Sequence, residues 1–356
     1  MNEKIRSPYL YSRIFEADST FRFGKEPVLR RMPDGSLFCL IYTGGEKEPS
    51  DENVVAGVRS LDNGKSWSAP AVLFYSRTHA VWGTELFTEG SVPFAVIHTF
   101  HASTRYRELN AHRSFTTDCG KTWSSPESLH GIPSCMSIRE GKVLSDGTWL
   151  FPVYWGEERP VAETEGRCSA TQEICSWERT SAGVIRSRDG GRHFTLSTSV
   201  EYEDPKSSAW EPAVTELENG HLRMFLRRDR FGALFSSDSF DYGQTWSAPK
   251  EEPIPNPGAK VSIYRVENLH VLFTNVCEPG EFHRRYLEAW VSDDLCRSWK
   301  KKIRIAEVTD PKEKTVNVTY PHGFACPAER CFYLAVDSYL FFSLLKIPFS
   351  EFRIGN

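Results

Sequence analysis

Five octapeptides of one pattern recur along the chain, and they constrain its fold more than any other feature. They are Ser60-Leu-Asp62-Asn-Gly64-Lys-Ser66-Trp67, Thr116-Thr-Asp118-Cys-Gly120-Lys-Thr122-Trp123, Ser187-Arg-Asp189-Gly-Gly191-Arg-His193-Phe194, Ser239-Phe-Asp241-Tyr-Gly243-Gln-Thr245-Trp246 and Ser292-Asp-Asp294-Leu-Cys296-Arg-Ser298-Trp299. Their aspartates lie 56, 71, 52 and 53 residues apart. That period fits one four-stranded blade of a β-propeller. Each residue type has a job in a tight turn. The Asp carboxylate accepts backbone N–H groups, the hydroxyl residues bond locally, and Gly supplies a positive φ. The Trp fills apolar space between strands. The fifth copy has Cys296 in place of the glycine, which predicts a distorted turn.

Strands flank each octapeptide, and a second set of hairpin signals lies upstream. These are Pro33-Asp34-Gly35, Glu89-Gly90, Asp146-Gly147, Glu218-Asn219-Gly220, Glu267-Asn268 and Pro327-Ala328-Glu329. Six inner hairpins and five octapeptides predict an all-β, six-bladed β-propeller whose last blade lacks the repeat. No linker divides residues 1–356, so a single domain is expected. An open ring would leave sheet edges exposed. The N-terminal segment is therefore expected to close it as the outer strand of the sixth blade.

The net charge is −4, without a long run of one sign. Nucleic acid and an anionic membrane surface are not expected as partners. Charges at Glu3, Lys4, Arg6, Arg13, Glu16 and Asp18 interrupt the first twenty residues, so neither a signal peptide nor an anchor is expected. Nine cysteines, an odd number, are expected as reduced thiols in a cytoplasm. Cys168 with Cys175, or Cys326 with Cys331, would be the pairs to form under oxidising conditions. No His or Cys spacing matches a metal template, and no cofactor is expected.

Ligands of a propeller bind at one mouth of the central channel, where inner strands begin. Around the ring those starts are Lys25-Glu26-Pro27, Trp82-Gly-Thr-Glu85, Ser137-Ile-Arg139, Trp210-Glu211-Pro212, Lys260-Val-Ser262 and Tyr320-Pro321-His322. They carry more charge and aromatic surface than a packed core tolerates.

The octapeptide resembles the Asp box of sialidases, and the resemblance reaches the mouth. The segment from Glu211 to Arg227 is similar to the one in which sialidases place a glutamate base and, 16 residues on, an arginine of their carboxylate-binding triad. Arg284 matches another triad arginine, with Arg285 as the alternate. Tyr320 stands where sialidases carry their tyrosine nucleophile. The resemblance implies retaining hydrolysis of a terminal acidic sugar, with Glu211 activating Tyr320. It also implies that Glu211 and Tyr320 lie within hydrogen-bond reach. A neutral tyrosine suits a substrate with a carboxylate at its anomeric carbon, because a carboxylate nucleophile would be repelled. Two positions depart from the family pattern. Lys25 falls where the first triad arginine belongs, and lysine lacks the bidentate fork. The loop that holds the acid/base aspartate reads Gly45-Glu46-Lys47-Glu48-Pro49-Ser50-Asp51-Glu52, in which Asp51 and Glu48 lead.

Arg139, Glu85, His101 and His322 complete the expected substrate-binding set, and the expected partner is an acidic oligosaccharide or glycoconjugate. Two other functions use the same mouth. A lyase or another glycosidase could act on uronate-containing oligosaccharides, with His, Tyr and Arg abstracting a proton beside a neutralised carboxylate. A non-catalytic propeller could bind glycans. The polar insertion 156–177 reads as a rim or lid.

Overall fold

The computed structural model describes residues 4–104, 106, 109–129, 131–132, 135–157, 179–202, 208–228, 232–277, 283–310, 312 and 315–355. Six antiparallel sheets follow one another along the chain as blades I to VI. Their innermost strands are Lys25–Arg31, Ala80–Phe87, Met136–Ile138 with Lys142–Val143, Ala209–Glu218, Ser262–Val266 and Thr319–Cys326. All six upstream hairpin signals fall between the first and second strands of a blade. Strands sandwiched between neighbouring blades are apolar on both faces, as in Leu37–Thr43, which is buried throughout. Outer strands such as Lys301–Val308 alternate instead, because one face meets water.

The core is therefore shared between blades. Val271, Phe273 and Leu287 of blade V pack with Phe332, Leu334 and Leu345 of blade VI. Phe342 and Leu344 of blade VI pack with Leu37, Ile41 and Val58 of blade I.

The Asp-box turns share one hydrogen-bond set. In the first, Ser66 donates its backbone N–H to Asp62 Oδ1 at 2.9 Å and its hydroxyl to Asp62 Oδ2 at 2.5 Å, while Gly64 N–H donates to Ser60 Oγ at 2.7 Å. Gly64 has φ +85°, and a Cβ there would lie 2.4 Å from Leu344 Cδ2, so glycine is needed twice over. In the third box His193 replaces the hydroxyl residue and keeps the contact through Nδ1, 2.7 Å from Asp189. The fifth box corrects an expectation. Its turn is not distorted: Cys296 N–H reaches Ser292 Oγ at 3.0 Å and Ser298 N–H reaches Asp294 Oδ1 at 2.9 Å. Cys296 adopts φ +57°, at a cost of about 1–3 kcal/mol. Burial of its side chain and the bond from Arg223 to its carbonyl, at 2.7 Å, offset that cost.

Leu10–Glu16 pairs with Phe341–Pro348 as the outer strand of blade VI, closing the ring. A second closure was not legible: Ile5–Arg6 adds a fifth strand to blade V by pairing with Lys301–Val308. Cys326 and Cys331 face each other across a blade VI hairpin as free thiols. Cys168, Cys175 and nearly all of the insertion 156–177 lie outside the described residues.

Candidate functional site

Three inner strands begin with the same device. Glu26, Glu211 and Tyr320 each precede a proline, and each has a positive φ, of 48°, 46° and 49°. Each also sits where the strand register slips, between Lys25 and Val28, Trp210 and Ala213, and Thr319 and His322. Proline cannot donate to the ladder, so a bulge accommodates it. The strained bulge in turn re-aims the preceding side chain. Blades I, IV and VI thereby send two carboxylates and one phenol to the same mouth.

Guanidinium groups bind those carboxylates. Arg139 of blade III donates to Glu26 Oε2 at 3.0 Å and to Glu211 Oε1 at 2.9 Å. Arg227, opposite Trp210 on the neighbouring strand, donates to Glu211 Oε2 at 2.7 Å. Tyr320 lies between two cations: Lys25 Nζ and the Arg284 guanidinium are each 5.6 Å from its ring centre. Arg284 is oriented by donating to Gly258 O at 2.8 Å. Lys25 Nζ is 3.6 Å from Glu48. Asp337, with no exposed surface, accepts the Glu26 N–H at 3.2 Å and adds negative charge beneath Lys25.

The loop 44–53 is held by Asn53. Tyr42 donates to Asn53 Oδ1 at 2.7 Å, as does Ser50 N–H, while Asn53 Nδ2 donates to the Gly44 and Lys47 carbonyls. This fold of the loop turns its two leading carboxylates in different directions. Glu48 faces Lys25 and the cluster. Asp51 faces outward, accepting the Ala102 N–H at 2.7 Å, with His101 Nδ1 3.9 Å away.

Burial and charge set the protonation states. Burial, with Glu211 and Glu26, pushes the Tyr320 phenol up to about 12. Burial alone would raise Glu211, but Arg227, Arg139 and Arg284 overcome it and hold the carboxylate below the usual range. Glu48 is raised, chiefly by burial, against the pull of Lys25. The cluster thus combines a neutral phenol, an ionised carboxylate beside it and a second carboxyl held above the usual carboxylate range. Such divergence between carboxyl groups is the pattern of an acid/base pair.

The expected residues divide into those the structure brings together and those it does not. Lys25, Glu48, Arg227, Arg284, Glu211 and Tyr320 share the cluster. Arg139 belongs to it in another capacity, since its guanidinium is 2% exposed and both terminal nitrogens are engaged, so it positions carboxylates. Glu85 lies deeper, with no exposed surface, bound by Arg30 at 3.0 Å and by the Gly141 N–H. His322 is equally sealed: its Nδ1 accepts the Leu29 N–H at 3.1 Å, and burial holds the ring neutral. His101 stacks on His79, ring centres 4.1 Å apart, on the rim with Asp51. Among the described residues no hydrogen bond joins Tyr320 to Glu211, because both Glu211 oxygens turn to arginines. Glu26, Asp337 and Lys260 were not assigned from the sequence. Glu26 had a signal, since Lys25-Glu26-Pro27 repeats the Glu-Pro of Trp210-Glu211-Pro212.

Among the described residues no group of three or more His, Cys, Asp or Glu side chains is arranged to hold a metal ion. Comparison with known proteins places these features in a family. The chain is 26% identical over 230 residues to a sialidase of Bacteroides fragilis (strain YCH46), covering 55% of this chain and 38% of that one. It therefore spans well under half the length of that relative. The fold matches the NanB sialidase of Streptococcus pneumoniae with a TM-score of 0.70 at 13% identity, over 97% of this chain and 71% of that one. It matches the Hadza microbial sialidase Hz136 with a TM-score of 0.69 at 15% identity, over 93% and 67%. A Dyadobacter fermentans DSM 18053 protein of unknown function matches with a TM-score of 0.72 at 15% identity, over 97% and 100%. The profile of the BNR repeat-like domain family matches residues 94–328, more than half of the sequence, and the chain belongs to that family of sialidase-like propellers.

Proposed function

We infer that the mouth cluster is the active site of a retaining glycoside hydrolase of the sialidase type, acting on a terminal acidic sugar. One observation carries this reading: Tyr320 is flanked by Lys25 and Arg284, while Glu211, the carboxylate acting on it most strongly, is ionised. Cations on that side suit a substrate carboxylate. The carboxylate on the other suits a base.

In the first step Tyr320 Oη attacks the anomeric carbon and its proton passes to Glu211. The bond to the leaving oxygen breaks, and Glu48 protonates that oxygen. In the second step Glu48, now ionised, takes a proton from water as the water attacks the tyrosyl–sugar bond. Tyr320 leaves and recovers its proton from Glu211. Each Glu211 oxygen has a second lone pair for the phenol beyond its arginine contact. Catalytic hydrogen bonds that are long in a free enzyme tighten on the substrate complex. The carboxylate-binding set is Lys25, Arg227 and Arg284. Lys25 offers a point charge where a guanidinium would offer a fork, which favours tolerance of acidic sugars beyond sialic acid.

The test is a panel of sialosides and uronate oligosaccharides, with Tyr320→Phe as control. A new reducing end, lost in Y320F, supports the reading. An absorbing unsaturated product would replace it with a lyase. No product from any glycan, with affinity unchanged in Y320F and E211Q, would replace it with a binding module.

A further inference from the structure

Tyr339 occupies the turn between Cys331–Asp337 and Phe341–Pro348 of blade VI. Its φ is +68°, a left-handed conformation that destabilises an aromatic residue and suits glycine or asparagine. Three contacts impose it. The Tyr339 N–H donates to Asp337 Oδ1 at 2.5 Å, and the Tyr339 carbonyl accepts the Gly24 N–H at 2.8 Å. The ring stacks on Phe23, with centres 5.7 Å apart and planes 16° from parallel. Strain of this kind persists where the surroundings over-determine it, and here it sets a partly exposed ring beside the mouth cluster. Lys25 Nζ is 5.2 Å from the Tyr339 ring centre and 5.6 Å from that of Tyr320. The ammonium thus has two tyrosine rings within cation–π range.

A lysine at this position needs such a device. Its charge is a point on a flexible four-carbon stem, with no fork to fix its direction. The neighbours of Lys25 fare differently in the reaction inferred above. Glu48, 3.6 Å away, gives up a proton and regains one. Tyr320 becomes bonded to sugar. Asp337 is engaged by the backbone N–H groups of Glu26 and Tyr339. The Tyr339 ring keeps its charge and its bonding throughout.

We propose that Tyr339 is a positioning residue that fixes Lys25 for the carboxylate of the substrate, and so sets how strongly the mouth selects acidic sugars. It acts through its ring, since among the described residues its hydroxyl has no hydrogen-bond partner. The proposal rests on the glycosidase reading for the identity of the ligand, while the placing of Lys25 is tested without it.

Tyr339→Asn removes the ring and suits the backbone, and Tyr339→Phe keeps the ring. Crystal structures of both need no activity. Lys25 Nζ is expected to keep its place in Y339F, and to move away from Tyr320 or lose its density in Y339N. For the acidic glycoside turned over in the panel, KM is expected to rise about 3–10-fold in Y339N with kcat little changed, and to recover in Y339F. K25M and the double variant K25M/Y339N should share one KM, because Tyr339 acts through Lys25. Turnover that survives in Y320F would overturn the glycosidase mechanism and leave the placing of Lys25 to the structures. If no glycan is turned over, the same cycle is read on the Kd of the acidic sugars. An unmoved Lys25 in Y339N would overturn the proposal. So would equal losses in Y339F and Y339N, or effects of K25M and Y339N that multiply in the double variant. If Y339N does not fold, Tyr339→Gly, which also removes the ring at a positive φ, takes its place.

Discussion

Glu26 and Glu211 occupy the same place on opposite blades of the ring: each precedes a proline, with φ of 48° and 46°. One guanidinium, Arg139, binds both, at 3.0 and 2.9 Å. The mouth is thus braced across its diameter by a single, almost fully buried side chain. That brace explains why two buried carboxylates stand close together without either being expelled. It also fixes Glu211 with one oxygen toward blade III and the other toward Arg227.

Removing the brace should leave two buried carboxylates short of a cation. Arg139→Met is expected to destabilise the fold by about 3–5 kcal/mol, read from urea unfolding. Arg139 also helps hold Glu211 below the usual carboxylate range. In any hydrolytic assay the acid limb of the pH profile should therefore move upward in R139M, and R139K should restore part of both effects.

Glu48 and Asp51 separate cleanly by mutation. Glu48→Gln is expected to lower kcat/KM about 10²–10⁴-fold on substrates with poor leaving groups and to remove the alkaline limb of the profile. Asp51→Asn, which alters rim contacts to Ala102 and His101, should change kcat/KM by no more than a few-fold. Lys25 opposes protonation of Glu48, so Lys25→Met should shift the alkaline limb to higher pH.

The box turns give the stability profile a direction at low pH. Hydrogen bonds to Ser66 and Thr122, first among several, hold Asp62 and Asp118 at about 2, below the 3.8 of a free aspartate. A depressed folded-state value means the stabilisation is complete above the unfolded value and is lost as pH falls through the folded one. Tm should therefore drop between about pH 4 and pH 2, and D62N should flatten part of that drop while lowering Tm at neutral pH. A calorimetric pH series checks both.

Position 296 weighs backbone strain against packing. Cys296→Gly relieves a positive φ and loses a buried side chain, so its stability should stay within about 1 kcal/mol of the parent. Cys296→Ala keeps the strain and loses the sulfur, and it should be the less stable of the two in urea unfolding.

The architecture was legible because the box turn is local: eight residues contain every donor and acceptor it needs. Glu211 and Arg227 were singled out by resemblance to sialidases, and their contact follows from one hairpin that sets Arg227 opposite Trp210. Glu26 escaped because its meaning depends on ring closure, which alone brings blades I, III and IV to one guanidinium. Lys260 and Asp337 are long-range in the same way. Glu85 and His322 were placed at the mouth because inner-strand starts were read as uniform. The bulges at Gly83 and Thr319 shift the register and send those side chains down the axis. The cysteine in the fifth box was judged by its type alone, and its burial keeps the turn intact.

The central claim is that Tyr320 becomes covalently bonded to sugar. A fluorinated acidic glycosyl fluoride that forms the intermediate quickly and releases it slowly, followed by peptide mass mapping, tests this directly. The account predicts one sugar adduct per chain, on the peptide containing Tyr320, and none in Y320F. Turnover of the parent glycoside that survives in Y320F, or an adduct on a carboxylate with Tyr320 unmodified, would contradict it.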